Sequence, residues 1–160
     1  MSTMLTLTAD QARFSCRVAG VAIEEGCVLL HRALRDDFWA LPGGRAELLE
    51  PAAATLRREM QEELGIDVEV VRLLWLVENF FEYEDMAFHE LGLYFLMQVP
   101  PDWPQRTVDE PFAGEEGHLP LEFRWFPVAD LPGMVVYPSF LRTELKALPT
   151  TIQHVVHRDE

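Results

Sequence analysis

The run from Gly44 to Ile66, GRAELLEPAAATLRREMQEELGI, sets five glutamates and an arginine pair around one short helix, with a glycine near each end. Pro51 suits a first helical position, where its missing N–H costs nothing and its fixed φ is already helical; Ala52, Ala53, Ala54, Leu56, Arg57 and Arg58 follow as good helix formers. Gly65 supplies the C-terminal stop. At about 100° per residue, Ala53, Leu56, Met60 and Leu64 form an apolar stripe that has to dock on a core.

Glu59, Glu62 and Glu63 stand at i, i+3, i+4 and share one arc, which borders that stripe. A plain solvated acidic face is the simpler reading of E-x-x-E-E, but such a face normally lies opposite the stripe, with lysine or arginine interleaved. Three like charges at a half-buried edge repel one another unless cations neutralise them, and hard carboxylate oxygens suit Mg²⁺ or Mn²⁺. Arg58 is placed to orient one of the carboxylates through its donor fork.

The full spacing G-x5-E-x7-R-E-U-x-E-E-x-G-U, with U a bulky apolar residue, resembles the signature of the Nudix hydrolases. Gly44, Glu50, Arg58, Glu59, Met60, Glu62, Glu63, Gly65 and Ile66 fill all nine fixed positions. In outline the resemblance runs from Arg17 to Leu131, including the approach Phe38 to Arg45 and the later strand Glu122 to Phe126. It implies an α/β fold, an α/β/α sandwich with a mixed β-sheet between helices. It also implies hydrolysis, by water attack, of a pyrophosphate bond in a nucleoside diphosphate linked to another moiety, with Mg²⁺ or Mn²⁺ as cofactor. In that scheme Glu59, Glu62 and Glu63 hold metal with help from backbone carbonyls at Gly43 and Gly44, and Arg58 fixes a glutamate. The general base is Glu62 or an acidic residue outside the box; Glu122 and Glu116 are the first to test, with Glu82, Glu90 and Glu115 behind them. Arg45, Phe38, Trp39 and Tyr83 are the candidates for substrate contact, although each aromatic also suits a core. Tyr83 lies 17 residues past the box, an offset that resembles the dinucleoside polyphosphate hydrolases, and the proline of ADP-ribose pyrophosphatases is absent there. A catalytically inactive nucleotide-binding regulator is the second reading, but its mark would be an eroded box. A third is a partner-binding module using the acidic stretch from Asp109 to Glu116. Homodimerisation is an expectation by family analogy alone.

The formal charge of −14 on 160 residues argues against nucleic-acid or anionic-membrane partners, which attract basic chains. It would repel a nucleotide too, unless metal neutralised both sides, so the charge agrees with a metal-dependent phosphate site. No apolar run approaches a membrane span and the first residues lack the pattern of a secretory signal, so the expected location is cytoplasmic. Cys16 and Cys27 read as reduced thiols in strands.

Strands are expected over Arg17 to Ile23 and Cys27 to His31, paired as a hairpin around Glu24-Glu25-Gly26, then over Val68 to Val77, Glu90 to Val99 and Phe123 to Phe126. Between the third and fourth, ENFFEYEDMAFH reads as a connection, and residues 102–120 as a loop. Ser139 is expected to cap a second helix reaching Leu148. The expected division is an N-terminal extension (1–15), one domain (16–148) and a C-terminal tail (149–160).

Overall fold

The computed structural model describes residues 3–116 and 119–159, without the side chains of Glu115 and Glu116. Two strands, β1 (Thr6–Ala9) and β2 (Ala12–Val21), form the first hairpin; β3 (Ile23–Glu24) and β4 (Cys27–Ala33) form the second. The short β5 (Gly43–Arg45) leads to helix α1 (Ala52–Leu64). Then come the long strands β6 (Glu69–Tyr83) and β7 (Met86–Gln98), followed by β8 (Phe112–Glu116) and β9 (Leu119–Pro127). A 3-10 turn over Val128–Gly133, helix α2 (Leu141–Glu144) and strand β10 (Gln153–Arg158) complete the order.

The strands make two sheets. One runs β1-β2-β7-β6-β10 with β5 added beside β2, and is mixed because β2 lies parallel to β7 and β10 parallel to β6; the other runs β3-β4-β9-β8. One hydrophobic core joins both sheets to α1 through Leu56, Met60, Val18, Leu29 and Phe123. A second, on the opposite side, gathers Ala19, Leu30, Trp75 and Tyr94 under Leu131, Leu141 and Leu145. The α/β sandwich is therefore as expected, but its second helical layer is thin.

Five local readings change. Residues Arg17 to Val21 do not pair with β4: Val18, Ala19, Gly20 and Val21 are all buried, so this stretch needs a neighbour on each edge and becomes a central strand. Only Ile23–Glu24 folds back on β4, through a tight turn in which Glu25 (φ 50°) and Gly26 (φ 78°) are both left-handed. The supposed connection from Glu78 to His89 is instead the tip of the β6–β7 hairpin, turning at Glu84 and Asp85; cross-strand Phe81 and Phe88 stack with centroids 5.0 Å apart. In the acidic loop, residues 112–116 pair with β9, and Gly114 passes so close that a Cβ there would lie 2.3 Å from the Phe123 ring and 2.9 Å from the Glu63 carbonyl.

The second helix shrinks because Ser139 is engaged elsewhere: its Oγ donates to Asp159 at 2.5 Å and its N–H to the same carboxylate at 3.2 Å. Leu141 and Leu145 are buried as expected. The segment expected as a tail carries β10, whose half-buried Val155 joins the second core and whose Gln153 accepts from Trp75 Nε1 at 3.3 Å. Cys16 and Cys27 are free, partly buried thiols. No described helix is long and apolar enough to cross a membrane.

Deleting residues 150–160 removes the β10 pairing and the Ser139–Asp159 bonds. The expected outcome is a thermal midpoint lower by about 4–8 °C, a loss of ~2 kcal/mol for a domain of this size, measured by circular dichroism.

Candidate active site

Helix α1 begins one residue later than expected, with Pro51 as its N-cap rather than inside it, and it ends at Gly65 (φ 67°), whose N–H reaches the Gln61 carbonyl at 2.9 Å. Its buried residues are Thr55, Leu56, Glu59, Met60 and Glu63. At about 100° per residue these fall at roughly 0°, 100°, 40°, 140° and 80°, so Glu59 and Glu63 occupy the middle of the inward arc. The sequence placed them at its border. Glu62, about 20° outside that arc, keeps a side chain that is 57% exposed.

Arg58 makes this burial tolerable. Its Nε and Nη2 grip Glu50 at 2.7 and 3.0 Å, Nη2 also donates to the Arg45 carbonyl at 3.1 Å, and Nη1 donates to Glu59 at 2.8 Å. The same Nη1 stands 3.3 Å from Glu62 and 3.6 Å from Glu47. Glu50 also accepts from Thr55 Oγ1 at 2.6 Å, so it serves the arginine rather than the helix N-terminus, where no side-chain cap forms. The Arg58 bonds hold the Glu50 carboxyl well below the ordinary range, at about 2. Glu59 is pushed the other way, to about 7, by burial and then by the neighbouring Glu63 charge, against the pull of Arg58. Gly44 completes the seat: a Cβ there would lie 2.2 Å from the Glu59 carboxyl carbon. Gly43 is needed for a closer pass, since its Cβ would meet the Val18 carbonyl at 2.0 Å.

Glu63 faces the second sheet. His31 of β4, 7% exposed, brings Nδ1 within 3.3 Å of Glu63 Oε1, and its Nε2 lies 3.4 Å from Arg17 Nη2, which also donates to the Leu41 carbonyl at 3.0 Å. His31 and Arg17 line a cleft of about 1290 Å³ that continues past Arg45, Glu90, Phe38 and Tyr83. Six of its lining residues are arginines and five are carboxylates, a local excess of positive charge in a chain of net charge −14. Glu90 is buried in it, with its carboxyl raised by desolvation against the opposing influence of Arg17, Asn79 and Arg45.

The candidates from sequence divide accordingly. Glu59, Glu62, Glu63, Arg58, Gly43 and Gly44 come together; Arg45, Phe38 and Tyr83 line the cleft, with Tyr83 donating to Asp36 at 3.0 Å and meeting Phe38 edge-on at 6.1 Å. Trp39 packs edge-on against Phe126 at 4.7 Å and lies under the Arg32 guanidinium at 5.0 Å. Glu122 accepts from Arg32 at 2.8 Å, and strand alternation turns it away from the face on which its neighbour Phe123 meets His31. The Glu116 side chain lies outside the described residues. Sequence reasoning missed His31 and Arg17, because a histidine inside the apolar strand CVLLHRA carries no spacing signal.

Among the described residues no three His, Cys, Asp or Glu side chains already converge as a metal cage. The donor set nevertheless fits a hard divalent cation: two like carboxylates are buried one turn apart, and the Glu59 carboxylate occupies the space that a side chain on Gly44 would fill, which brings it against the backbone of β5.

The NUDIX domain profile matches residues 15–143. The chain belongs to the NUDIX family. Among NUDIX relatives, the 8-oxo-dGTP diphosphatase of Proteus vulgaris is 33% identical over 82 residues, 51% of this chain and 67% of that one. The 8-oxo-dGTP diphosphatase of Buchnera aphidicola subsp. Schizaphis graminum is 24% identical over 144 residues, 88% of each chain. Against two other relatives the chain spans 30% and 37% of their length. The fold agrees with a NUDIX hydrolase from Nitrosomonas europaea (TM-score 0.63, 18% identity, 91% of this chain and 79% of that one). It also agrees with an ADP-ribose pyrophosphatase from Streptococcus suis (TM-score 0.58, 16% identity, 89% and 98%).

Because the Glu50 carboxyl is depressed in the folded state, the stability it adds is fully present above its ordinary value of 4.5 and is lost as pH falls from there to about 2. Glu50→Gln should cost roughly 1–3 kcal/mol at pH 7 and flatten the fall in stability across that window, as measured by urea unfolding at several pH values.

Proposed function

We propose that this chain is a metal-dependent pyrophosphohydrolase acting on a nucleoside diphosphate linked to another moiety: a nucleotide, a dinucleoside polyphosphate or a nucleotide sugar. The observation that carries this reading is the pair of buried carboxylates, Glu59 seated against Gly44 and Glu63 3.3 Å from His31, which itself lines an arginine-rich cleft. An acidic chain that collects half of its twelve arginines around one cleft is equipped for an anionic ligand.

Glu59, Glu62 and Glu63, with carbonyl oxygens of Gly43 and Gly44, would hold Mg²⁺ or Mn²⁺. The bound ion would lower the pKa of its water and neutralise phosphate oxygens. Arg58, gripped by Glu50, keeps Glu59 in place and limits how far the helix acids repel one another. Glu62, exposed just outside the buried arc and held only loosely by Arg58 Nη1 at 3.3 Å, would take a proton from the attacking water, whereas Glu122 serves to hold Arg32 over Trp39. Arg45 and Arg17, cross-strand neighbours on β5 and β2 that line the cleft, would meet phosphate oxygens, and the Phe38–Tyr83 pair would offer an aromatic surface to a base. The activities of similar proteins, an 8-oxo-dGTP diphosphatase and an ADP-ribose pyrophosphatase, support a nucleotide substrate. The complete box disfavours an inactive regulator.

The test is a screen of purified protein with Mg²⁺ and with Mn²⁺. Its substrates are nucleoside triphosphates including 8-oxo-dGTP, dinucleoside polyphosphates, nucleotide sugars and ADP-ribose, and release of phosphate, pyrophosphate and nucleoside monophosphate is followed. Turnover of one class, abolished by excess chelator, is expected; binding without product release would favour the regulator. Glu62→Gln and Glu63→Gln should each lower turnover at least about a hundredfold with an unchanged circular dichroism spectrum. Near-normal turnover by a folded variant would remove the assigned roles.

A further inference from the structure

His31 stands between two groups that only partly share its chemistry. A guanidinium can donate but never accept, so the 3.4 Å contact between Arg17 Nη2 and His31 Nε2 requires a lone pair on Nε2. The ring proton then resides on Nδ1, the nitrogen 3.3 Å from Glu63 Oε1. The N–H side of a neutral imidazole therefore faces the carboxylate at ion-pair distance, without the alignment of a hydrogen bond, while its lone pair faces Arg17. The imidazole is 7% exposed and Glu63 4%, so water does not screen this line. The ring is further fixed against Phe123 (centroids 5.3 Å apart), and Arg17 is anchored by the Leu41 carbonyl at 3.0 Å.

We infer that His31, set in its Nδ1–H tautomer by Arg17, is a positioning residue that orients the Glu63 carboxylate for a divalent cation. The inference rests on the reading of Glu63 as a metal ligand. It assigns a role to a strand residue outside the Gly44 to Ile66 run. Outer partners that orient a ligand in this way commonly change metal affinity by 10- to 100-fold when removed. Because His31 and Arg17 also line the cleft, an anion bound at Arg17 would be felt at Glu63 through the same two contacts.

The experiment is a Mn²⁺ titration of the purified full chain, followed by electron paramagnetic resonance of the free ion, with no substrate present. His31→Leu should weaken binding about tenfold or more, while His31→Asn, which keeps an N–H donor near the position of Nδ1, should stay within about threefold of the unaltered chain. Glu63→Gln is the reference variant. If Glu63→Gln weakens binding but His31→Leu leaves it unchanged, the positioning role is overturned and the metal reading stands. If Glu63→Gln also leaves binding unchanged, both are overturned. Should His31→Leu fail to fold, ¹⁵N resonances of the ring in the unaltered chain decide the matter: protonated Nδ1 is expected, and protonated Nε2 overturns the inference.

Discussion

Burying two carboxylates one helical turn apart is the constraint around which the molecule is organised. Each carboxylate alone would resist leaving water, and together they repel across the turn. Arg58 offsets part of that cost by facing Glu59 while locked to Glu50 in a two-pronged grip, itself steadied by Thr55 and the Arg45 carbonyl. Gly44 then lets the backbone of β5 lie directly over Glu59. Helix, strand and loop are thus pinned to one another by charge, with Leu56 and Met60 giving the hydrophobic contact that seats the same helix in its core.

The remaining cation-rich surface follows from the sheet geometry. Arg17 and Arg45 are cross-strand partners, so the antiparallel pairing of β2 with β5 sets two arginines opposite each other on one face of the sheet. Like charges directly opposed in a sheet are unfavourable without counter-charge. Glu90, buried in the neighbouring strand β7, lies close enough for both arginines to oppose the rise that burial imposes on its carboxyl. The cleft is in this sense an electrostatic complement of α1: carboxylates gather on the helix and arginines on the sheet, and His31 is the point where the two meet.

Much of the site was legible in the sequence because its parts are close along the chain. Glu50, Arg58, Glu59, Glu62 and Glu63 belong to one helix and its entry, where periodicity decides who faces whom. The helical phase misplaced the buried arc by about 70°, because Thr55 rather than Ala53 was drawn inward. What the pattern could not carry was pairing between distant strands. The parallel β2–β7 ladder brings Arg17 beside Glu90's strand, and the two-residue turn at Glu84 and Asp85 converts an apparent connection into a hairpin. Local propensity has no term for either. Glu122 shows the same limit from the other side. Its strand was recognisable, but its facing depends on a register with β4 that pairs it to Arg32.

The strand β10 places an unusual condition on the order in which this molecule is completed. Gln153 pairs with Trp75, far earlier in the chain, whereas the Arg58 clamp spans only a few residues. Closing so long an intervening segment costs more chain entropy than forming the helix and its grip, so the helix acids can assemble well before the last strand docks. Asp159, just beyond β10, is what fastens Ser139, next to Tyr137 and Pro138 in the cleft wall. During synthesis the acidic centre can therefore exist as a half-built site, with its cleft left open on one side until residues 153–159 have emerged and paired.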